Sequence, residues 1–212
     1  LSGTPLNANV GDNSVVITVG DGTTTVTDSF TITVANTNDA PTITSTAVTA
    51  ATEDSLYTYA VTASDVDAGD TVTLSGTTIP SWMTFSSTSV LSGTPTNAEV
   101  GSHAVVITAT DASGATATDS FTIVVANTND APTVTSTAVT TATEDSAYTY
   151  TVTASDVDVG DTLTMTGTTV PSWLTFDATT GVLSGTPLNA NVGDNSVCLL
   201  YTSDAADDLW CG

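Results

Sequence analysis

Carboxylates recur along this chain at spacings that suit the capture of a hard cation. Asp65, Asp67 and Asp70 stand together in SDVDAGD, and Asp156, Asp158 and Asp161 stand together in SDVDVGD, 91 residues later. The run NTND at residues 36–39 supplies Asn36, Asn38 and Asp39, and it returns at 127–130 as Asn127, Asn129 and Asp130. Glu53 and Asp54 are repeated as Glu144 and Asp145, and Asp111 follows a later apolar stretch. Calcium takes roughly six to eight oxygens from carboxylates, amides, backbone carbonyls and water, and one loop seldom provides them all. Ligands must then be gathered from several places. Asp and Asn are also turn formers that bond their own backbone, which accounts for the SDVDAGD loop taken alone. That reading weakens once the NTND run and Glu53 are included.

The acids sit inside a long internal repeat. Residues 36–85 and 127–176 agree at 40 of 50 positions, and every acid of the first copy is kept in the second. The differences include Ile43/Val134, Leu74/Met165 and Met83/Leu174, exchanges that a packed interior tolerates. A core that drifts around fixed acids marks the acids as the functional content. A period of 91 residues suits one small β-domain and is too long for a solenoid unit.

The charge balance is one-sided, with no Lys or Arg against 23 acids and a formal net charge of −23. A solubility-driven or salt-adapted surface is the plainer explanation. Even so, a surface without internal cations repels itself, so compactness depends on bound or screening cations. Nucleic acid and anionic lipid are excluded as partners, because no basic group can displace their counterions.

After Val197 the repeat breaks off. Residues 198–208, CLLYTSDAADD, back-translate to a transposase adapter of the kind used in sequencing libraries. Residues 198–212 are therefore read as adapter read-through and not native sequence. Cys198 and Cys211 both fall in this tail, so neither a disulfide, a metal role nor a redox compartment is expected from them.

The positioning elements are strands. Thr, Val and Ser dominate, which favours β-structure. Tyr57, Tyr59, Val61 and Ala63 alternate with Thr58, Ala60 and Thr62, the period of two of a half-buried strand. The acidic turn follows, and a strand restarts at Thr71. Trp82 and Phe85, a short strand from Val90, HAVVITAT at 103–110 and DSFTIVVA at 119–126 complete one copy. About seven short strands with turns between them predict an all-β chain of two-sheet sandwich domains. Trp82 and Trp173 are read as core anchors. The expected layout is the C-terminal part of a truncated repeat at 1–38, a complete repeat at 39–129 and the N-terminal part of a further repeat at 130–197. The chain is expected to be a cut from a longer protein.

The chain resembles cadherin repeats, specifically the dystroglycan-type cadherin-like (Ig-like) tandem domains of large bacterial surface proteins. The resemblance rests on NTNDAP at 36–41 and 127–132, TEDS at 52–55 and 143–146, ASDVD at 63–67 and 154–158, and PSW(M/L)TF followed by LSGTP. It implies calcium bound at junctions between domains. Asn36, Asn38 and Asp39 would act with Asp65, Asp67 and Asp111. At the next junction Asn127, Asn129 and Asp130 would act with Asp156, Asp158 and, from the preceding domain, Glu53. Two linker positions depart from the family: the first linker Asp is Asn36, and the last linker Asn is Ala40. The acidic D-R-E motif is also missing, so fewer or weaker ions are expected. Asp54 and Asp70 have no clear counterpart.

The function implied is a module of a secreted or cell-surface repeat protein, extracellular or membrane-anchored through its parent. Calcium would rigidify an adhesive stalk, and other surface proteins or glycans would be its partners. The alternative is a carbohydrate-binding or spacer module of a secreted enzyme, which needs an exposed aromatic platform. The chain itself is read as no enzyme. It carries no nucleophile–base arrangement, phosphate loop or zinc spacing. Its one histidine, His103, is replaced by Asn13 and Asn195 in the sister copies.

Overall fold

The alternating Thr, Val and Tyr runs fold as strands throughout a computed structural model that describes residues 1–203. The chain divides into two units, Leu1–Ala126 and a second beginning at Asn127. The first opens with a hairpin of β1 (Gly11–Gly20) and β2 (Thr25–Val34), paired from Gly11↔Val34 to Gly20↔Thr25. A complete module follows: β3 (Thr42–Ile43), β4 (Ala50–Thr52), β5 (Tyr57–Ala60), β6 (Ala63–Ser64), β7 (Thr73–Thr78) and β8 (Met83–Phe85). It ends with β9 (Val90–Gly93), β10 (Gly101–Thr110) and β11 (Thr116–Ala126).

Two sheets make the sandwich, one in the order β4-β11-β10-β7 and the other β5-β9-β8. Their inward residues form one core of Tyr57, Tyr59, Met83, Leu91, Val105, Ile107 and Ile123. Period-two alternation decides which side chains enter it. Val105, Ile107 and Ala109 of β10 are fully buried, while Ser102 and Ala104 face solvent. Burying each large aliphatic side chain stabilises the module by roughly 1.5–3 kcal/mol. The Tyr57 hydroxyl donates to the Val48 carbonyl at 2.7 Å. Burial, with Tyr59 adding to it, pushes the Tyr57 phenol up to about 12. Trp82 meets Tyr57 edge-on, with centroids 6.2 Å apart at 80°, a geometry worth about 0.5–1.5 kcal/mol.

The structure refines the expected strands. The run from Tyr57 to Ala63 is interrupted, because β5 pairs with β9 whereas β6 pairs with β3. The change of partner falls where the Val61 amide donates to the Ser89 carbonyl. Gly93 of the LSGTP motif is a packing requirement: a Cβ there would collide with the Trp82 carbonyl oxygen, and one at Gly185 with that of Trp173.

The second unit repeats the plan with β12 (Thr133–Val134), β13 (Tyr148–Thr151), β14 (Ala154–Ser155), β15 (Thr164–Thr169), β16 (Leu174–Asp177), β17 (Val182–Gly185) and β18 (Cys198–Thr202). Its sheets are β13-β17-β16, β15-β18 and β12-β14. Residues 198–202, expected to be foreign to the repeat, pair with β15 as β10 pairs with β7: Thr202↔Thr164 matches Thr110↔Thr73. Cys198 is disulfide-bonded, which corrects the expectation of no disulfide. That expectation discounted both cysteines on their origin, and Cys211 lies outside the described residues. Among the described residues no helix is long and apolar enough to cross a membrane.

Candidate metal centre

The SDVDAGD loop leaves β6 and returns to β7, so its acids sit at one end of the first sandwich. Asp65 Oδ1 accepts the Asp67 amide at 2.9 Å, closing a local turn. Gly69, at φ +88°, then folds the chain back so that the Asp70 amide reaches the Asp67 carbonyl at 3.1 Å. Glycine adopts that left-handed backbone at little cost. One carboxylate oxygen each from Asp65, Asp67 and Asp70 thereby comes within 4.8 Å of the others.

Hydrogen bonds draw the distant residues to the same end. The Asp39 amide donates to Asp67 Oδ2 at 2.8 Å. Asn38 Nδ2 donates to Asp111 Oδ2 at 2.8 Å and to the Asp39 carbonyl at 3.0 Å. The Ala112 amide donates to Asp70 Oδ1 at 3.2 Å. Asp111 is buried and also accepts the Ala115 amide at 2.7 Å. The Asn38 amide, with backbone donors of residues 113–115, holds its carboxyl below the usual carboxylate range, while burial pulls the other way. Sequence-distant Asn38, Asp39, Asp65, Asp67 and Asp111 thus share one pole. Asn36 stays exposed.

The charge arrangement suits a cation. Asp67 is only 7% exposed, yet its Oδ1 accepts no hydrogen bond, and neither does the buried Oδ2 of Asp65. Buried carboxylate oxygens are normally satisfied. Two unit charges about this far apart repel by roughly 3–4 kcal/mol at an effective dielectric near 20. With no Lys or Arg in the sequence, relief has to come from outside. Hard oxygen donors of this kind fit calcium better than a soft or imidazole-seeking metal.

The second unit repeats the centre with one change. Asp156 Oδ1 accepts the Asp158 amide at 2.9 Å, and Asp158 Oδ2 accepts the Asp130 amide at 2.7 Å. Asp156, Asp158 and Asp161 cluster as before, and the buried Asp156 Oδ2 accepts no hydrogen bond. Asn129 again bonds the following carbonyl, that of Asp130, at 3.0 Å. The position after β18, matching Asp111, is Ser203, whose hydroxyl donates to Asn129 Oδ1 at 3.3 Å. Asn127 is exposed. Glu53 stands at the end of β4 in the first unit, 1% exposed, its amide on the Ala126 carbonyl at 3.1 Å. Its copy Glu144 is exposed.

Asp70 and Asp161 belong to these clusters, although the family pattern offers them no place. Their signal was in the spacing: an acid three residues after Asp67 across a glycine is placed to fold back. The aromatics do not make a stacking platform in the complete module. Tyr57 and Tyr59 are each 4% exposed and Trp82 packs on the core. His103 is structural, its Nε2 2.6 Å from the Glu99 carbonyl and its ring edge-on to Trp82.

Comparison with known proteins places the chain among small β-sandwich repeats. The family described as "Putative Ig domain" matches residues 40–126 and 131–207, and the chain belongs to it. Among curated proteins, a "Serine-rich adhesin for platelets" of Staphylococcus aureus strain MRSA252 is 32% identical over 164 residues, 77% of this chain and 12% of its own length. The protein of that name from strain USA300 is also 32% identical over 164 residues, covering 77% of this chain and 7% of its own length. The chain thus spans about a tenth of these relatives or less. Two solved structures share the fold: human CDH23 EC21-23, at TM-score 0.60, 18% identity and coverage of 93% and 70%. The other, PcdhgB3 EC1-4, has TM-score 0.62, 18% identity and coverage of 94% and 55%.

Proposed function

We propose that this chain is part of an adhesin-type repeat protein exposed at the cell surface, and that its modules bind calcium at their acidic poles to stiffen the repeat array. The observation that carries the reading is the buried Asp67, with one oxygen unbonded among three carboxylates that no internal cation can neutralise. Asp65, Asp67, Asp70, Asp111, Asp39 and Asn38 would hold the ion in the first module, with Asn36 supplying a further oxygen. Asp156, Asp158, Asp161, Asp130 and Asn129 would do so in the second, with Asn127 supplying a further oxygen. Bound calcium supplies charge neutralisation and a common centre for oxygens from separate loops. Because these loops converge only in the folded module, binding would stabilise the native state by mass action, about 2.7 kcal/mol at a hundredfold excess over Kd.

The surface-adhesin part is supported by the likeness to the staphylococcal adhesins, and the partners would be surface proteins or glycans. Isothermal titration of the chelator-stripped chain with calcium tests the binding. Micromolar or tighter uptake that is lost in Asp67→Asn and Asp158→Asn is expected; absence of heat or of saturation overturns it.

A further inference from the structure

One acid of the complete module lies outside its pole and outside any turn. Asp119 sits within β11, where aspartate is disfavoured, and the same TDSFT run places Asp28 within β2. By alternation Asp119 shares the inward face of β11 with Phe121, Ile123 and Val125. Phe121 packs on the core, and the other two are buried. Asp119 itself is half-buried, and its carboxylate has no hydrogen-bond partner among the described residues.

The strand edge beside it is open. β11 pairs with β10 from Thr116 to Val125. On its other side it pairs with β4 at Val124–Ala126 alone. The Val124 amide points to that second side, donating to the Thr49 carbonyl at 2.9 Å. Alternation aims the amides of Thr118, Ser120 and Thr122 the same way, and no strand among the described residues meets them. The chain passes from β3 to β4 without closing the gap. It leaves a groove of about 480 Å³ lined by Pro41, Ile43, Ala47, Ala117 and Asp119.

Two features choose the occupant. An edge with free amides and carbonyls accepts an extended strand, whose alternate side chains enter the groove. A half-buried carboxylate at such an edge repels an acidic strand and pairs with a cationic one. This chain has no Lys or Arg, so a second copy cannot supply that side chain. We infer that the groove takes an extended segment of a different protein, which adds to β11. One inward Lys or Arg of that segment meets Asp119, and a small apolar side chain lies against Ile43 and Ala47. The net charge of −23 draws a basic segment in, and salt weakens the attraction. The inference gives the surface-protein partner of the proposed adhesin a chemistry, and rests on that reading only for where the partner is met.

Nuclear magnetic resonance on the whole isotope-labelled chain tests this with the capped peptide TVTKTVT, whose valines and lysine share one face of a strand. Saturable shifts are expected at the amides of Thr118, Ser120 and Thr122 and at Ala47. The peptide TVTETVT should cause none. Asp119→Asn should weaken binding on the order of tenfold. Asp54→Asn, which removes a charge from an exposed turn, should leave it within about twofold. Of two versions of TVTKTVT N-methylated at alternate residues, one should lose binding and the other keep it, because only alternate amides of an added strand face the edge. Shifts confined to the acidic loop at 65–70, equal binding of the lysine and glutamate peptides, an unweakened Asp119→Asn, or binding kept by both methylated versions overturns the inference. None of these outcomes bears on the calcium reading, since the experiment follows no ion.

Discussion

The two acidic poles share a loop and differ at one position that the loop does not contain. In the first, Asp111, buried like Asp67, accepts from Asn38 and adds a carboxylate to those of Asp39, Asp65, Asp67 and Asp70. In the second, Ser203 stands there and donates to Asn129, leaving Asp130, Asp156, Asp158 and Asp161. Around both, the three-stranded sheet is the same down to the glycine beneath each tryptophan. The repeat therefore separates what makes a module fold from what sets its charge. The pole is an assembly of loops in which each ligand can be exchanged without disturbing the core.

The shared core gives the largest expected effect. Gly93→Ala and Gly185→Ala should each cost about 3 kcal/mol or more, because the added methyl group meets backbone and not a movable side chain. Thermal unfolding followed by tryptophan fluorescence should show similar losses in both. A cheap substitution in the second unit alone would break the equivalence of the cores.

Next come the poles. Asp67→Asn and Asp158→Asn keep one oxygen for the Asp39 or Asp130 amide but remove a charge. In chelator they should melt at or above the parent temperature, since repulsion is relieved. In saturating calcium each should forfeit roughly 1–3 kcal/mol of the stabilisation that the ion gives its module. A loss of stability in chelator would mean that the acids serve the fold rather than a cation.

The reciprocal exchange sharpens the contrast further. Asp111→Ser should weaken calcium binding by about tenfold, some 1.4 kcal/mol, and Ser203→Asp should strengthen it by a similar factor, as carboxylate count predicts. Titration calorimetry reads both. The smallest change concerns the tryptophans. Trp173 Nε1 donates to Asn195 Oδ1 at 3.0 Å, and Asn195 Nδ2 still reaches the Asn191 carbonyl at 2.9 Å. His103 reaches the matching Glu99 carbonyl but leaves the buried Trp82 Nε1 without an acceptor. His103→Asn should therefore raise stability by about 0.5–1.5 kcal/mol, measurable in denaturant.

Much of this was legible in the residues. Alternation at 57–60 and 103–110 located strands, and the burial of Tyr57, Tyr59, Val105 and Ile107 follows from it. The doublet of SDVDAGD loops located the acids. What alternation could not show was the break between β5 and β6, where the Val61 amide bonds the Ser89 carbonyl in the bend before β9. Nor could it show the place of Asp70, which depends on a left-handed turn at Gly69. Ser203 was hidden for another reason: its segment no longer resembles the repeat, and only pairing with β15 reveals the equivalence to Asp111.

Removal of calcium tests the central claim most directly. The parent chain, measured by small-angle scattering and thermal melting in calcium and then in excess chelator, should gain radius and lose several degrees of Tm. Calcium should restore both, and equal magnesium should not. An unchanged radius and melting temperature across the whole series would contradict a cation-held pole.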